Sequence, residues 1–140
     1  MEDQSIMLNL PELLPSIIAI SEHAGQAIMA IYNQPERWEL QQKVDNSPLT
    51  AADLAAHHLI EQALQQLTPF ISVLSEESDD VSQRHTWSRL WLVDPLDGTK
   101  EFVARTNDFT VNIALIVDNK PVLGVLHAPV YGVTYYAAEG

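Results

Sequence analysis

From Pro15 onward, Ile17, Ile18, Ile20, Ala24, Ala27, Ile28 and Ile31 recur at helical spacing through Tyr32, and Asn33-Gln34-Pro35 stops the run. Pro15 suits a first helical turn, where its missing N–H costs nothing, so residues 1–14 read as a loose leader. Trp38 to Val44 alternates as a strand does, and Asp45-Asn46-Ser47-Pro48 turns the chain. Thr50-Ala-Ala-Asp53 then opens a second helix in the manner of a capping box, with Asp in place of Glu. Leu59, Ile60, Ala63, Leu64 and Leu67 carry its apolar face until Thr68-Pro69 ends it. Ile71 to Leu74 predicts a short buried strand. It is followed by the acidic loop Ser75-Glu-Glu-Ser-Asp-Asp80 and a polar connection over 81–88.

Leu90 to Val93 predicts another buried strand. Pro95 should end it, because proline cannot donate to a ladder. Gly98-Thr99 opens a short helical turn. Phe109 to Val117, Pro121 to Ala128 and Val133 to Ala138 make an antiparallel meander, with turns at Asp118-Asn119 and Pro129-Val-Tyr-Gly132. The pattern therefore predicts one α+β domain over 15–140: two helices layered on a mostly antiparallel sheet, without internal repeats or linkers.

Composition narrows the class. A chain of 140 residues, 46% apolar and 19% charged, can bury a core as one soluble domain. A net charge of −12 argues against a nucleic-acid polymer as partner, since backbone binding needs clustered Lys and Arg. With no cysteine there is no disulfide, zinc-thiolate site or thiol nucleophile. No apolar run approaches a membrane span, and Met1-Glu-Asp-Gln lacks a positive signal-peptide start. The expectation is a cytoplasmic protein, with peripheral attachment at the inner membrane as the variant and no transmembrane segment.

The chemistry concentrates in Trp91-Leu-Val-Asp-Pro-Leu-Asp-Gly-Thr-Lys-Glu-Phe102. A strand end delivers Asp94, and Asp97 follows three positions later on a tight turn. Hard divalent cations such as Mg²⁺ want oxygen ligands, and a helix start wants an anion. Asp94, Asp97 and the Leu96 carbonyl can serve the cation, and Gly98 and Thr99 a phosphate. Asp-Pro and Asp-Gly are equally ordinary turn dipeptides, and an Asp before a helix is often a cap, so the residues alone leave both readings open. Glu76 alone reads as a solvated loop residue, and Asp53 as an acid placed to favour a helix N-terminus by about 0.3–1 kcal/mol. His57 and His58, adjacent on a helix, should point to different faces, which is poor for a shared metal. No HExxH or GxSxG occurs. Trp38, Trp87 and Trp91 read as packing.

The run from Asp94 to Thr99 resembles the metal-binding signature of the inositol monophosphatase superfamily, Mg²⁺-dependent and lithium-sensitive phosphatases. The Lys100-Glu101-Phe102 ending is similar to its 3′(2′),5′-bisphosphate nucleotidase branch. The resemblance implies the N-terminal half of a sugar-phosphatase-like fold. It implies that Glu76, Asp94, the Leu96 carbonyl and Asp97 hold two or three Mg²⁺ ions, Glu77 standing behind them or in solvent. It also implies that Asp53, in the similar run Asn46-Ser-Pro-Leu-Thr-Ala-Ala-Asp53, pairs with Thr99 to orient the attacking water, with Lys43 as an electrostatic neighbour. Glu76, Leu96, Asp97, Gly98 and Thr99 would contact the substrate, a small phosphorylated nucleotide such as adenosine 3′,5′-bisphosphate, which loses its 3′-phosphate to give AMP in sulfur assimilation.

Family members run to about twice this length, and their second half supplies a further Asp ligand and most base contacts. The chain alone is therefore expected to bind Mg²⁺ weakly, turn over little, and self-associate through the edge left uncovered. Three other readings stand beside this one. The first is an inositol-phosphate phosphatase of the same superfamily. The second is a haloacid-dehalogenase-type phosphatase, whose two acids are two residues apart rather than the three of Asp94 and Asp97. The third is a metal- or phosphate-binding fragment without catalysis.

Overall fold

The computed structural model describes residues 9–34, 48–75 and 88–139. The expected strand from Trp38 to Val44, the turn before Pro48 and the acidic loop after Ser75 lie outside them. Helix α1 spans Leu10–Tyr32 and α2 spans Pro48–Leu67. Strand β1 is Ser72–Ser75, β2 Arg89–Asp97, β3 Thr110–Val117, β4 Lys120–Ala128 and β5 Val133–Ala138. A short helix α3, Thr99–Ala104, sits between β2 and β3.

Helix α1 starts before Pro15 rather than at it. The Asn9 side chain accepts from the Glu12 amide (3.2 Å), so the cap lies upstream and Pro11 takes the first-turn position. Pro15 stays inside the helix, where it leaves the Pro11 carbonyl without a helical donor. Both prolines are exposed, so water can serve that carbonyl. Ile17, Ile20, Ala24 and Ile28 are buried along one stripe, each isoleucine contributing about 1.5–3 kcal/mol. By length and composition alone α1 could cross a membrane, contrary to the sequence expectation. Its apolar stripe lies instead in the core shared with α2 and the sheet.

Helix α2 also starts earlier than expected. Pro48 is its first residue, so Thr50 is already helical and the capping-box reading of Thr50 and Asp53 fails. Ala52, Ala56, Ile60 and Leu64 form its buried line, while Leu67 reaches solvent.

The five strands lie in the order β1-β2-β3-β4-β5, parallel between β1 and β2 and antiparallel elsewhere. The hairpin between β3 and β4 turns on Asp118 (φ 51°) and Asn119 (φ 69°). Positive φ at both residues matches the strand twist, and Asp and Asn tolerate it better than most. Helix α1 packs on β3, β4 and β5, α2 on β1 and β2, and the helices on each other. Trp91, Val93, Val111, Ile113 and Leu115 point into this layer. Trp91 is packing, as expected: its indole N–H donates to Thr68 Oγ1 (2.9 Å), whose hydroxyl donates to the Leu64 carbonyl (3.0 Å).

The opposite face is open. Leu92 (44% exposed), Leu126 (37%) and Tyr135 (65%) lie against a cleft of about 650 Å³, whose polar end is Asp94 and Asn112. One strand residue beneath α1 titrates. His127 is buried where Gly25 lets the helix come close; a Cβ on Gly25 would stand 2.7 Å from the imidazole Cδ2. Its Nδ1 lies 2.8 Å from Thr134 Oγ1, whose hydroxyl in turn donates to Glu22 Oε2 (3.4 Å). Burial lowers the His127 pKa below 6.5, with the Glu22 charge and a Val133 backbone hydrogen bond opposing only in part. The unfolded chain therefore binds the proton first as pH falls. The His127 contribution is intact above pH 6.5 and is lost on the way down to the lowered folded value. Unfolding midpoints should fall over that window, and His127→Gln should flatten the slope there; an unchanged slope would reject this assignment.

Candidate metal and phosphate site

Strand β2 does not end at Pro95, as the sequence suggested; it runs on to Asp97. Pairing with β3 breaks between Asp94, opposite Asn112, and Asp97, opposite Thr110. Two residues of β2 thus face one of β3, a bulge, and a bulge is one of the few places where a sheet accepts proline. Pro95 and Leu96 turn inward and are buried. Asp94 is half-buried and Asp97 exposed, so the bulge brings two carboxylates to the rim of the open face.

Asn112 connects them, and the sequence reading missed it. It stands across the ladder from Asp94, and its amide donates to Asp97 Oδ2 (3.1 Å) while its carbonyl oxygen accepts from Thr110 Oγ1 (3.1 Å). The signal was available. Alternation in Val111-Asn-Ile-Ala-Leu115 sends Asn112 to the face opposite the core, beside whatever the neighbouring strand presents there.

Gly98 follows at φ 97°, and α3 begins at Thr99. A Cβ here would meet the Asp108 carbonyl oxygen at 2.8 Å and Phe109 Cα at 3.1 Å, so only glycine fits. The turn is pinned from behind. Phe102, Phe109 and Tyr32 pack ring to ring with centroids 4.9–5.2 Å apart. Arg105 donates to the Tyr32 carbonyl at the end of α1 (2.9 Å) and lies over the Tyr32 ring (4.3 Å). Tyr32 Oη donates to Asn107 Oδ1 (2.8 Å).

Thr99 and Leu49, in the first turn of α2, line one cleft of about 370 Å³. Asp53, half-buried, stands one turn beyond Leu49 on the same helix face. With the helix beginning at Pro48, Asp53 falls in its second turn, which weakens the reading of it as a helix-start acid. Glu76, Glu77 and Lys43 lie outside the described residues. Ser75, just before Glu76, pairs with Val93, just before Asp94. The end of β1 therefore lies beside the middle of β2, next to Asp94, which meets the condition the sequence set for Glu76 to approach Asp94.

Two carboxylates at one rim, with Asp97 oriented by the Asn112 amide, fit a hard divalent cation. Fold and rim together describe a layered α+β domain that carries two carboxylates on a bulged strand. The chain belongs to the inositol monophosphatase family, whose model matches residues 9–140.

Its closer likenesses are more specific. It is 54% identical over 129 residues to the 3′(2′),5′-bisphosphate nucleotidase CysQ of Salmonella typhimurium, covering 91% of this chain and 52% of that protein. It is 52% identical over the same span to the Escherichia coli K12 protein of that name. Among solved structures it is similar to CysQ from Bacteroides thetaiotaomicron, a bacterial member of the family, with TM-score 0.82 and 45% identity over 94% of this chain and 47% of that one. The chain thus spans about half the length of the curated relatives it matches.

Proposed function

We propose that this chain is the metal- and phosphate-binding half of a Mg²⁺-dependent 3′(2′),5′-bisphosphate nucleotidase, hydrolysing the 3′-phosphate of adenosine 3′,5′-bisphosphate to AMP. The observation that carries the reading is the Asp94–Asp97 bulge, tied by Asn112 and backed by Gly98, in a chain similar to CysQ relatives. Bound Mg²⁺, two or three ions, would lower the pKa of water and neutralise charge on the phosphoryl and leaving oxygens.

In this reading Asp94, Asp97, the Leu96 carbonyl and Glu76 hold the cations. Asn112 fixes the rotamer of Asp97. The Gly98 and Thr99 N–H groups donate to phosphoryl oxygens, and Asp53 orders the Thr99 hydroxyl, whose oxygen accepts from the attacking water. The water oxygen bonds to phosphorus as the bond to the 3′ oxygen breaks, and the water proton ends on that oxygen. The compartment proposed is the cytoplasm.

Phosphate release from adenosine 3′,5′-bisphosphate tests this, measured on the 140-residue chain alone and on the chain joined to the second half of the Salmonella relative. The joined protein should hydrolyse the nucleotide with Mg²⁺, and lithium should inhibit it; the chain alone should turn over little. A joined protein that prefers an inositol phosphate overturns the nucleotidase reading, and equal rates overturn the need for the second half.

The open face suggests its own behaviour in isolation. Leu92, Leu126 and Tyr135 would draw copies of the chain together, because exposed apolar patches and edge strands associate. Sedimentation velocity should show concentration-dependent dimers or larger species; a clean monomer at high concentration rejects the idea.

A further inference from the structure

The geometry points to a second metal site, unlike the carboxylate rim in chemistry, formed by His57, His58 and Glu61 on α2 and suited to a zinc-like transition-metal ion. Adjacent helix positions diverge by about 100°, which led the sequence reading to separate the two histidines. The imidazoles nevertheless converge: their rings lie edge-to-face with centroids 5.1 Å apart. One ligand atom from each of His57, His58 and Glu61 lies within 4.8 Å of the other two.

The closest pair has the dimension of a coordination edge. His57 Nε2 and Glu61 Oε1 are 3.3 Å apart. Two ligands at Zn–N and Zn–O lengths of about 2.0–2.1 Å, held at a tetrahedral angle, stand about 3.3–3.4 Å apart. The third ligand, on exposed His58, closes the face by a rotamer adjustment. The fourth position opens to water.

The surroundings support the assignment. His57 is 8% exposed, and its Nδ1 lies 3.0 Å from the hydroxyl of buried Ser75. Histidines that bind metals commonly donate their other ring N–H to such an oxygen, which fixes the tautomer. In the tautomer that places Nε2–H toward Glu61, Nδ1 is the acceptor for the Ser75 hydroxyl. With metal, the ring proton sits on Nδ1 and donates to Ser75 Oγ, freeing the Nε2 lone pair. The change is one of tautomer and hydroxyl rotation, with no net proton lost from the ring. Two imidazoles and one carboxylate favour Zn²⁺, Cu²⁺ or Ni²⁺ over Mg²⁺, whereas the all-oxygen rim at Asp94 and Asp97 favours the reverse.

The probe is Zn²⁺ added to the 140-residue chain in excess Mg²⁺, followed by long-range ¹H–¹⁵N spectra of the imidazoles and by calorimetry. Ring nitrogens of His57 and His58 should shift together and saturate at one equivalent, while those of His23 and His127 stay in place. His58→Ala and Glu61→Gln, both at solvent-reached positions that leave the core intact, should each weaken Zn²⁺ binding at least tenfold; Asp94→Asn should not. Shifts spread over all histidines, an unmoved His57, or full affinity in His58→Ala would overturn the site.

Discussion

Asp94→Asn is expected to abolish the stabilisation that Mg²⁺ or Mn²⁺ gives the protein, lowering metal affinity by at least about a hundredfold, the upper end of what loss of an outer-shell partner alone produces. Asparagine keeps the shape of the side chain but removes the charge that a hard cation requires. Asn112→Ala should give an intermediate result, about 10–100-fold weaker binding, because Asp97 keeps its charge and loses the amide that aims it. Calorimetric titration with Mn²⁺ and thermal unfolding with and without metal measure both effects. Equal affinity in the Asp94 variant would remove the rim from the mechanism.

Gly98→Ala should produce the second large effect, on stability and binding together. A left-handed backbone at φ 97° strains any L side chain by about 1–3 kcal/mol, and the clash with the Asp108 carbonyl adds overpacking of about 1–3 kcal/mol. The obstacle is backbone rather than a flexible side chain, so relief requires the turn to move. The unfolding midpoint should fall by about 10 °C or more, and metal affinity should drop because Gly98 separates Asp97 from Thr99. Gly132→Ala is the control. That glycine also has positive φ (66°), but an added Cβ would meet nothing within 4 Å, so only the backbone strain remains. Similar losses at both positions would mean that close packing against residues 108–109 is unimportant.

Elements governed by nearest neighbours were legible in the sequence; those governed by partners distant in the chain were not. The apolar spacing of Ile17, Ile20, Ala24 and Ile28, and the alternation of Val111, Ile113 and Leu115, place α1 and β3 with the correct faces inward. The Asp118-Asn119 hairpin follows from turn chemistry alone. Proline misled twice. Pro15 looked like a helix start and Pro95 like a strand end, but Asn9 caps α1 further upstream and β3 resumes pairing beyond a bulge. The Asn9 cap lies only six residues before Pro15 and was a local signal passed over; the β3 partner is not visible in a short window. The candidate rim was half legible: Asp94, Asp97, Gly98 and Thr99 stood out through their resemblance to a family signature, their spacing alone fitting an ordinary turn equally well, whereas Asn112 matters only because β3 lies beside β2 in this register. The convergence of His57 and His58 depends on rotamers, which helical periodicity does not carry.

The link between Arg105 and the last carbonyl of α1 joins residues 73 positions apart. A turn tethered to its neighbours in sequence can open by itself, as many ligand-binding loops do. This one is fastened to the first helix of the domain, so releasing it means undoing the packing of Tyr32 with Phe102 and Phe109 as well. The exposed turn and the buried layer behind it are therefore expected to open together rather than separately.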